Sequence, residues 1–465
     1  MWSVLKVNVD MNRDTALPTR HMGTLCERIS DSSDFVFVAG GDMIGPYRTM
    51  QDVDDPGFKR IIALFQRADL GFANQEGAIF DLAAFAGYPS AETGGGYPVA
   101  PTAVAKDYHD MGITIVSKAN NHGIDWGAEG MVLTLKSLAD AGIVQAGGGT
   151  SDVEARAPGY VHTPKGTAAL VSTASTFPPA AVAGPAITRQ CGASRPRPGI
   201  SVVHIRHVRL LPEDQFAALC RIAGPVTCKA AERGDELRIS DQYFRTSTTM
   251  GTTIEANPAD VEVVLDSIRE ARKNAKFVVF AIHAHETAGN EDDIPPADFE
   301  PMVLHRSNEA PSPDDPRPED FELVLAHQAI DCGADVVVRT GPHVLNGVEI
   351  YKGKPIFYGL GSLFFVFGPR RGYTAPSGAE KMFPDEWYET AIPVSTFRDG
   401  HLKEIRFYPI VIESSAAPTD GFPRPASAEQ GRRILERLRT RSEMFGTPVS
   451  IEEDVAVIRP SKPSQ

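Results

Sequence analysis

Three polar residues follow a short apolar run of this chain. Residues 113–116 (ITIV) predict a strand, and Asn120, Asn121 and His122 come shortly after it. Asn is disfavoured in strands, so the two carboxamides indicate that the chain turns into a site here. A carboxamide oxygen can bind a cation, and an imidazole titrates near neutral pH and can transfer a proton.

The same combination recurs where other apolar runs end. Each of these ends delivers a carboxylate, a carboxamide or an imidazole. The residues concerned are Asp42, Asn74, Glu76, His283, His285, Glu286 and His343. In open α/β sheets, ligands bind in the crevice outside the carboxyl ends of the strands. We therefore expect five strands to bring these residues to one edge of the sheet, together with Asn120, Asn121 and His122.

This donor set suits a hard or borderline divalent cation. Carboxylate, Asn carbonyl and imidazole groups are ligands for Zn, Mn or Fe, and no thiolate is positioned to take part. Two ions bridged by one carboxylate would generate a hydroxide and polarise a substrate oxygen. A nearby histidine that binds no ion could then act as a general acid or base.

The residues need a sheet to bring them together, and the chain predicts one. Apolar runs alternate with helix-like segments from about residue 34, which predicts an α/β sheet with helices on its faces. Two segments, about 177–260 and 287–319, interrupt this alternation. Long loops near strand ends are often lids or specificity elements. We predict a lead-in over 1–33, one domain over 34–445 and a tail over 446–465.

Composition excludes some classes of function. The 465 residues are 42% hydrophobic and 23% charged, which is ordinary for a soluble globular protein. A net charge of −14 argues against a nucleic-acid partner. There is no run of 18 apolar residues, which predicts no membrane span, and the first residues do not resemble a signal peptide. We expect a cytoplasmic protein.

The five cysteines predict neither a metal site nor a disulfide framework. Their spacing is irregular and their number is odd. A local bridge between Cys220 and Cys228 is the alternative to unpaired thiols in a reducing compartment, and the thiols are favoured.

Several motifs together resemble a known family. They are GGDMIG, ANQEG, KANNHGIDWG, AIHAHE and GPHVLNGVEIYKGKPIFYGLGSLFF. These motifs are similar to those of the bacterial capsule-synthesis CapA family, which is linked to poly-γ-glutamate synthesis. The resemblance runs from about residue 34 to 445. It implies a fold like that of the calcineurin-like metallophosphatases, a four-layer αββα sandwich, here with inserted loops over about 177–260 and 287–319.

The resemblance also implies roles for individual residues. Asp42 matches the metal-binding aspartate of the first strand, and Glu76 stands where a bridging carboxylate is expected. Asn121 matches the metal-binding asparagine, and His122 matches the catalytic imidazole beside it. The remaining histidine ligands of the family correspond to His283 or His285 and to His343.

The chain departs from the phosphatase pattern in three places. Ile44 stands where the phosphatases have a histidine, and RTGPH retains only His343 of two late histidines. Where the CapA pattern usually has His-Trp-Gly, this chain has His283-Ala284-His285, so His285 could compensate. The candidate metal ligands number six, which leaves one ion, two ions or none open. They are Asp42, Glu76, Asn121, His283, His285 and His343.

Three hypotheses about function follow. The first is a metal-dependent hydrolase acting on a peptide, a γ-glutamyl-type amide or another carboxylate-bearing small molecule. The second is a metal-independent acid–base enzyme, an epimerase or lyase, in which His122 and His343 transfer protons. The third is a non-catalytic accessory protein of poly-γ-glutamate synthesis. We predict substrate-binding roles for Asn74, Asn120 and Arg339; the oligomeric state stays open.

Overall fold

The computed structural model describes residues 33–45, 53–94, 96–224, 236–240, 242–287, 317–366, 385–412 and 421–460. These residues form eight α-helices and several β-sheets. In chain order the helices are α1 (Pro56–Gln66), α2 (Ala103–Asp110), α3 (Gly127–Asp140), α4 (Asp152–Arg156), α5 (Glu213–Ala223), α6 (Pro258–Asn274), α7 (Asp320–Asp331) and α8 (Ala428–Glu443).

The strands of the described residues are numbered in chain order. The first thirteen are β1 (Phe35–Ile44), β2 (Leu70–Glu76), β3 (Ala78–Ile79), β4 (Val99–Ala100), β5 (Ile115–Ser117), β6 (Val144–Ala146), β7 (Gly148–Gly149), β8 (Gly159–Thr163), β9 (Gly166–Ala174), β10 (Thr188–Arg189), β11 (Gly192–Ala193), β12 (Gly199–Ile200) and β13 (Ile205–Leu211). The others are β14 (Glu236–Ile239), β15 (Gln242–Thr246), β16 (Gly251–Ala256), β17 (Phe277–His283), β18 (Val336–Thr340), β19 (Val348–Tyr351), β20 (Lys354–Phe357), β21 (Ser362–Phe365), β22 (Glu389–Arg398), β23 (His401–Ile412), β24 (Pro423–Pro425), β25 (Ser450–Glu452) and β26 (Val455–Ile458).

Two large sheets carry the fold. A ten-stranded sheet has the order β25-β26-β23-β22-β1-β2-β5-β6, with β21 also paired to β1 and β24 to β23. A six-stranded sheet has the order β19-β20-β18-β17-β9-β8. Strands β1, β2, β5 and β6 run parallel, and so do β9, β17, β18 and β20. Parallel strands end at the same edge, so each sheet gathers the residues that follow its central strands.

The hydrophobic cores follow from the alternation of side chains along these strands. On β1, Val36 and Val38 pack in a core that includes residues of α1 and α2, whereas Phe37 and Ala39 point to the opposite face. That opposite core also contains residues of β9, β17 and β18, so the two large sheets share it. A third core joins the six-stranded sheet to α6 and α7. The predicted α/β class is confirmed, whereas the four-layer order stays a prediction.

The segment 177–260, predicted as an insertion, contains a sheet of its own. Its four strands have the order β14-β15-β13-β16, and the run VVHIRHVRLL contributes β13. The second predicted insertion, 287–319, lies mostly outside the described residues, as does the lead-in over 1–33, and Cys228 lies outside them. The favoured unpaired thiols and the alternative bridge between Cys220 and Cys228 therefore both stay predictions.

The C-terminal end of the domain lies later than the sequence indicated. Residues 450–458, assigned to the tail, instead form β25 and β26, and β26 pairs with β23 in the ten-stranded sheet. The physical reason is burial: the run from Val455 to Ile458 is apolar and buried. Helix α8 begins with a capping box between Ser427 and Gln430. No helix within the described ranges has the length and hydropathy of a membrane span.

Candidate metal and catalytic site

The predicted strand-end residues do meet. Asp42 lies in β1 and is in register with Asn74 of β2, while the segment after β5 carries Asn121. From the other large sheet, His283 ends β17 and pairs with Thr340 at the end of β18. The carboxyl ends of parallel strands from both sheets therefore face one another across a single buried cluster.

One group of possible ligands contains Asp42, Glu76 and His343, whose ligand atoms all lie within 4.8 Å of one another. Nδ1 of His343 lies 3.1 Å from Oδ2 of Asp42 and 3.2 Å from the Ser362 hydroxyl. His343 has a φ of +57°, a left-handed backbone that is uncommon outside glycine and often occurs at functional sites. Burial alone would raise the pKa of Asp42, but the hydrogen bond with His343 and the nearby His283 hold it below its ordinary range.

A second group contains Glu76, His283 and His285, again with ligand atoms within 4.8 Å of one another. Nε2 of His283 lies 3.0 Å from Nε2 of His285 and 2.9 Å from Oδ1 of Asn121. It lies 3.8 Å from Oε1 of Glu76. Burial and the neighbouring His285 lower the pKa of His283 well below its ordinary value, which keeps the ring neutral, the form in which histidine binds metals.

Glu76 belongs to both groups and is the least satisfied residue of the cluster. Its carboxylate is fully buried, yet neither oxygen has a hydrogen-bond partner among the described residues. Burial, and then the charge of Asp42, raise the pKa of Glu76 well above its ordinary value. A buried carboxylate without donors is costly unless a cation or proton compensates it, so this observation fits a metal ion between the two groups.

The ligand spacing also fits a metal. With ligand bonds of about 2.0–2.1 Å in a tetrahedral zinc site, neighbouring ligand atoms lie roughly 3.3 Å apart. The separations of 2.9 Å and 3.0 Å around Nε2 of His283 are slightly shorter than that, and 3.8 Å to Glu76 is slightly longer. The residues present therefore fit a divalent cation.

Of the two asparagines predicted to bind substrate, Asn74 contacts two candidate ligands, and Asn120 contacts Asn74 and the Gln75 carbonyl. The Nδ2 group of Asn74 donates to Oδ1 of Asp42 at 2.8 Å and lies 3.2 Å from Nδ1 of His283. Asn120 donates in turn to Oδ1 of Asn74 at 3.2 Å. Partners of this kind fix the orientation of metal ligands. A direct role for either residue in substrate binding stays a prediction.

Arg339, also predicted to bind substrate, is committed elsewhere. The side chain is 1% exposed and forms an ion pair with Glu322 of α7. It also donates to the backbone carbonyls of Tyr358 and Glu286. Burial raises the pKa of Glu322 to about 8, against the opposing effect of the guanidinium. Because the two groups are in direct contact, we interpret them as an ion pair. These contacts give the predicted substrate role of Arg339 no support.

Asp125 is a site residue that the sequence did not single out. Its Oδ2 lies 2.5 Å from Nδ1 of His122. On the opposite side of the ring, Nε2 of His122 lies 3.8 Å from Oε1 of Glu76. The carboxylate therefore orients the imidazole so that Nε2 faces the cluster. The three-residue spacing from His122 to Asp125 was the available signal.

Lys118 is a second residue that the sequence did not single out. The ammonium group is buried and donates to the carbonyls of Gln75 at 3.2 Å and Gly77 at 2.8 Å, which flank Glu76. Burial lowers the pKa of Lys118 to about 8, although Asp125 and Glu76 oppose that effect. Lys118 therefore anchors the backbone on both sides of the shared carboxylate.

Comparison with known proteins agrees with the geometry. A family model described as "Bacterial capsule synthesis protein PGA_cap" matches residues 36–311 and 307–367. The chain belongs to this family. The chain is also similar to "PGA biosynthesis protein CapA" of Bacillus subtilis (strain 168), which is 32% identical over 111 residues, 24% of this chain and 22% of that protein. The predicted resemblance to the CapA family is confirmed.

Two other proteins match the chain over nearly its whole length. They are "Uncharacterized protein y4sH" and "Uncharacterized protein y4uA" of Sinorhizobium fredii (strain NBRC 101917 / NGR234). Each is 33% identical over 460 residues, which cover 91% of this chain and 93% of the relative. The similarity to these two proteins therefore extends beyond the residues that the PGA_cap model matches.

Proposed function

We propose that this PGA_cap-family protein is a metal-dependent hydrolase. The observation that carries the proposal is Glu76, a buried carboxylate without hydrogen-bond donors that is shared by two groups of possible ligands. A protein that used this cluster only for stability would leave about 1–3 kcal/mol of desolvation uncompensated for each unpaired buried group. Two observations support a metallophosphatase-like four-layer fold for this proposal. The family is similar to the metallophosphatases, and the three cores lie between helices and the first sheet, between the two sheets, and between the second sheet and helices.

The residues that would hold divalent cations divide between the two groups. Asp42 and His343 would bind on one side, His283, His285 and Asn121 on the other, with Glu76 between them. The mixture of imidazole, carboxylate and carboxamide suits Zn, Mn or Fe. When bound, such cations supply a hydroxide nucleophile at neutral pH and polarise a substrate oxygen.

His122 is the group that would transfer a proton. The Nδ1–H group of His122 donates a hydrogen bond to Asp125, and the Nε2 lone pair of His122 is therefore directed toward the cluster. A neutral imidazole in this tautomer can take a proton at Nε2 and return it to a leaving group. His343, the other predicted catalytic histidine, contacts Asp42, so we assign it to metal binding.

His285 supplies a ligand where the family pattern is incomplete. The missing late histidine leaves a gap at Thr340-Gly341, and the ring of His285 lies against Gly341. A Cβ placed on Gly341 would come within 2.7 Å of Cδ2 of His285 and 2.8 Å of the Ala284 carbonyl. A histidine at position 341 would therefore clash with His285 in its present position. This supports the proposal that His285 replaces the missing late histidine.

For the substrate we propose a γ-glutamyl-type amide, a peptide or another carboxylate-bearing small molecule. The support is the family's link to capsule synthesis and the name of the Bacillus relative, PGA biosynthesis protein. Since Arg339 is buried in an ion pair with Glu322, substrate carboxylate recognition would have to rest on other residues.

The test begins with elemental analysis of protein purified without added metal. Activity on a γ-glutamyl anilide and on p-nitrophenyl phosphate is then measured before and after chelation, and after Mn²⁺ or Zn²⁺ is returned. Asp42→Asn is compared with Asp335→Asn, since Asp335 is also buried but pairs with Arg272 and Lys354. We expect metal loss in Asp42→Asn and retention in Asp335→Asn. Full activity in the chelated wild-type protein would contradict the proposal and favour metal-independent acid–base catalysis.

A further inference from the structure

Gly94 lies directly against the backbone of two candidate site residues. A Cβ added to Gly94 would come within 2.5 Å of the carbonyl carbon and oxygen of Asn121 and 2.9 Å of the backbone nitrogen of His122. Backbone atoms cannot move aside as the end of a flexible side chain can, so only glycine fits in this position without displacement. The close approach places both polar groups of the Gly94 backbone within reach of the site.

Both of these backbone groups are used. The Gly94 carbonyl accepts a hydrogen bond from Nδ2 of Asn121 at 2.7 Å. The Gly94 N–H donates to Oδ1 of Asp125 at 2.9 Å. A single residue thus contacts the side chain of a proposed metal ligand and the carboxylate that holds the proposed general base.

The first contact fixes the orientation of the Asn121 carboxamide. A carboxamide has a donating and an accepting side, and a carbonyl partner can face only the donating side. With Nδ2 bound to Gly94, Oδ1 must point the other way, and it lies 2.9 Å from Nε2 of His283. The contact therefore turns the metal-binding oxygen of Asn121 into the cluster.

The second contact acts through Asp125. Because Oδ1 accepts from Gly94, Oδ2 is the oxygen that faces Nδ1 of His122, at 2.5 Å. A carboxylate at Nδ1 selects the tautomer that carries its proton there. Nε2 of His122 then remains unprotonated on the side of Glu76.

We propose that Gly94 is a positioning residue that sets the Asn121 carboxamide and the His122 tautomer together. Its catalytic consequence rests on the proposed hydrolase function, whereas the positioning itself does not. The segment Ser90–Gly94 is held down independently of Gly94: Ser90 N–H donates to the Asp125 carbonyl at 2.7 Å, and the Tyr97 hydroxyl donates to the Ser90 carbonyl at 2.8 Å. The position of the Ser90–Gly94 segment therefore determines both the orientation of the Asn121 carboxamide and the tautomer of His122.

The experiment uses two variants and one control in the full-length protein. Gly94→Ala introduces the clash, and Tyr97→Phe removes one anchor of the segment without adding an atom that clashes. Gly251→Ala is the control, because a Cβ at Gly251 meets nothing within 4 Å. The His122 tautomer is read from ¹⁵N shifts of histidine-labelled, metal-free protein at a pH of about 9, well above the ordinary imidazole pKa of about 6.5. Mn²⁺ affinity is measured separately by calorimetry.

We expect Gly94→Ala to reduce the Nδ1-protonated population of His122 and to weaken Mn²⁺ binding by about 10- to 100-fold, as for other residues that orient ligands. Tyr97→Phe should move both quantities in the same direction by less, and Gly251→Ala should move neither. An unchanged tautomer in folded Gly94→Ala overturns the proposal. If Gly94→Ala does not fold, an unchanged tautomer in Tyr97→Phe overturns it. Failure of wild-type protein to bind Mn²⁺ would count against the hydrolase function and leave the tautomer result to decide on Gly94.

Discussion

The inserted four-stranded sheet and the candidate site both collect acidic residues, but they compensate them differently. On the inserted sheet, Glu236 and Glu255 each pair with Arg206 and Arg245, at N–O distances between 2.5 and 2.9 Å. All four carboxylate oxygens of this quartet contact a guanidinium. At the site, by contrast, the two oxygens of Glu76 have no donor among the described residues.

The pKa shifts differ in direction for the same reason. Burial alone would raise the pKa of Glu236, but the hydrogen bonds from Arg245 and Arg206 outweigh it and the pKa is lowered. The pKa of Glu255 is lowered chiefly by the hydrogen bond from Arg245. The pKa of Glu76 is raised, because burial and a neighbouring carboxylate act on it together. The quartet is electrostatically complete within the chain, whereas the site requires a cation or a proton from outside.

The largest effect should come from the histidine that we propose transfers the proton. If the site is built for chemistry, His122→Gln should fold normally and lose about 100- to 10,000-fold in turnover, because an amide cannot titrate. The control is His204→Gln, since His204 also pairs with a carboxylate, Asp260 at 2.7 Å, but lies 52% exposed in another part of the molecule. Steady-state kinetics with the substrate identified by the hydrolase assays provides the measurement. Near wild-type turnover in His122→Gln would remove it from the mechanism.

Glu76→Gln tests the contrast in compensation directly. Metal affinity should fall by more than the roughly 100-fold upper range for residues that only orient ligands. The metal-free variant should be at least as stable as metal-free wild type, since it replaces a carboxyl group whose ionised form is disfavoured by burial and by Asp42. Glu389→Gln makes the same change at a buried glutamate that pairs with Arg433 and Arg437. That variant should lose stability and keep its metal.

Calorimetric metal titration and thermal unfolding of both variants show whether Glu76 is a metal ligand or a structurally paired residue. A fall in stability for metal-free Glu76→Gln as large as that of Glu389→Gln would mean that Glu76 is structurally paired. Equal metal affinity in Glu76→Gln and wild type would remove Glu76 from the metal site.

The paired histidines give a graded test of the same site. His283 is fully buried and contacts Asn74, Asn121 and Thr340 as well as His285, which is 9% exposed. We expect both His283→Ala and His285→Ala to weaken metal binding, His283→Ala more. A direct ligand should also alter the visible spectrum of a substituted Co²⁺ ion, whereas a residue that orients ligands should change affinity alone. Full activity of both variants in the presence of a chelator would contradict the metal site.

The sequence was sufficient to predict which residues meet, because strand order determines that. Asp42 lies near the carboxyl end of its strand, Asn121 follows a strand and His283 ends one. Parallel strands within a β-α alternation bring these ends to one edge. The left-handed backbone at His343 and the ring of His285 beside Gly341 depend on packing between distant segments, so no spacing in the sequence specified them.

The direction of individual hydrogen bonds was also beyond the sequence. Asn74 was equally able to face a substrate or Asp42, and only the packing of β1 on β2 decides this. The guanidinium group of Arg339 is of a type that binds anions, but α7 places Glu322 in contact with it. The apolar run at the end of the chain was too short to distinguish a strand from a tail until its pairing with β23 was known.

The smallest effect should come from the quartet itself. Arg245→Met removes one guanidinium from Glu236 and Glu255, which are a quarter to a third exposed, so we expect a loss of stability below about 1 kcal/mol. The lowered pKa values of both glutamates mean that the quartet stabilises the fold above their ordinary pKa of about 4.5. As the pH falls through the lowered values, the folded state must take up protons and this contribution disappears. Thermal unfolding should therefore separate wild type and Arg245→Met at pH 7 and bring them together near pH 3, with metal content equal throughout. A variant that lost metal, or a stability difference that grew toward acid pH, would show that the quartet is not electrostatically independent of the site.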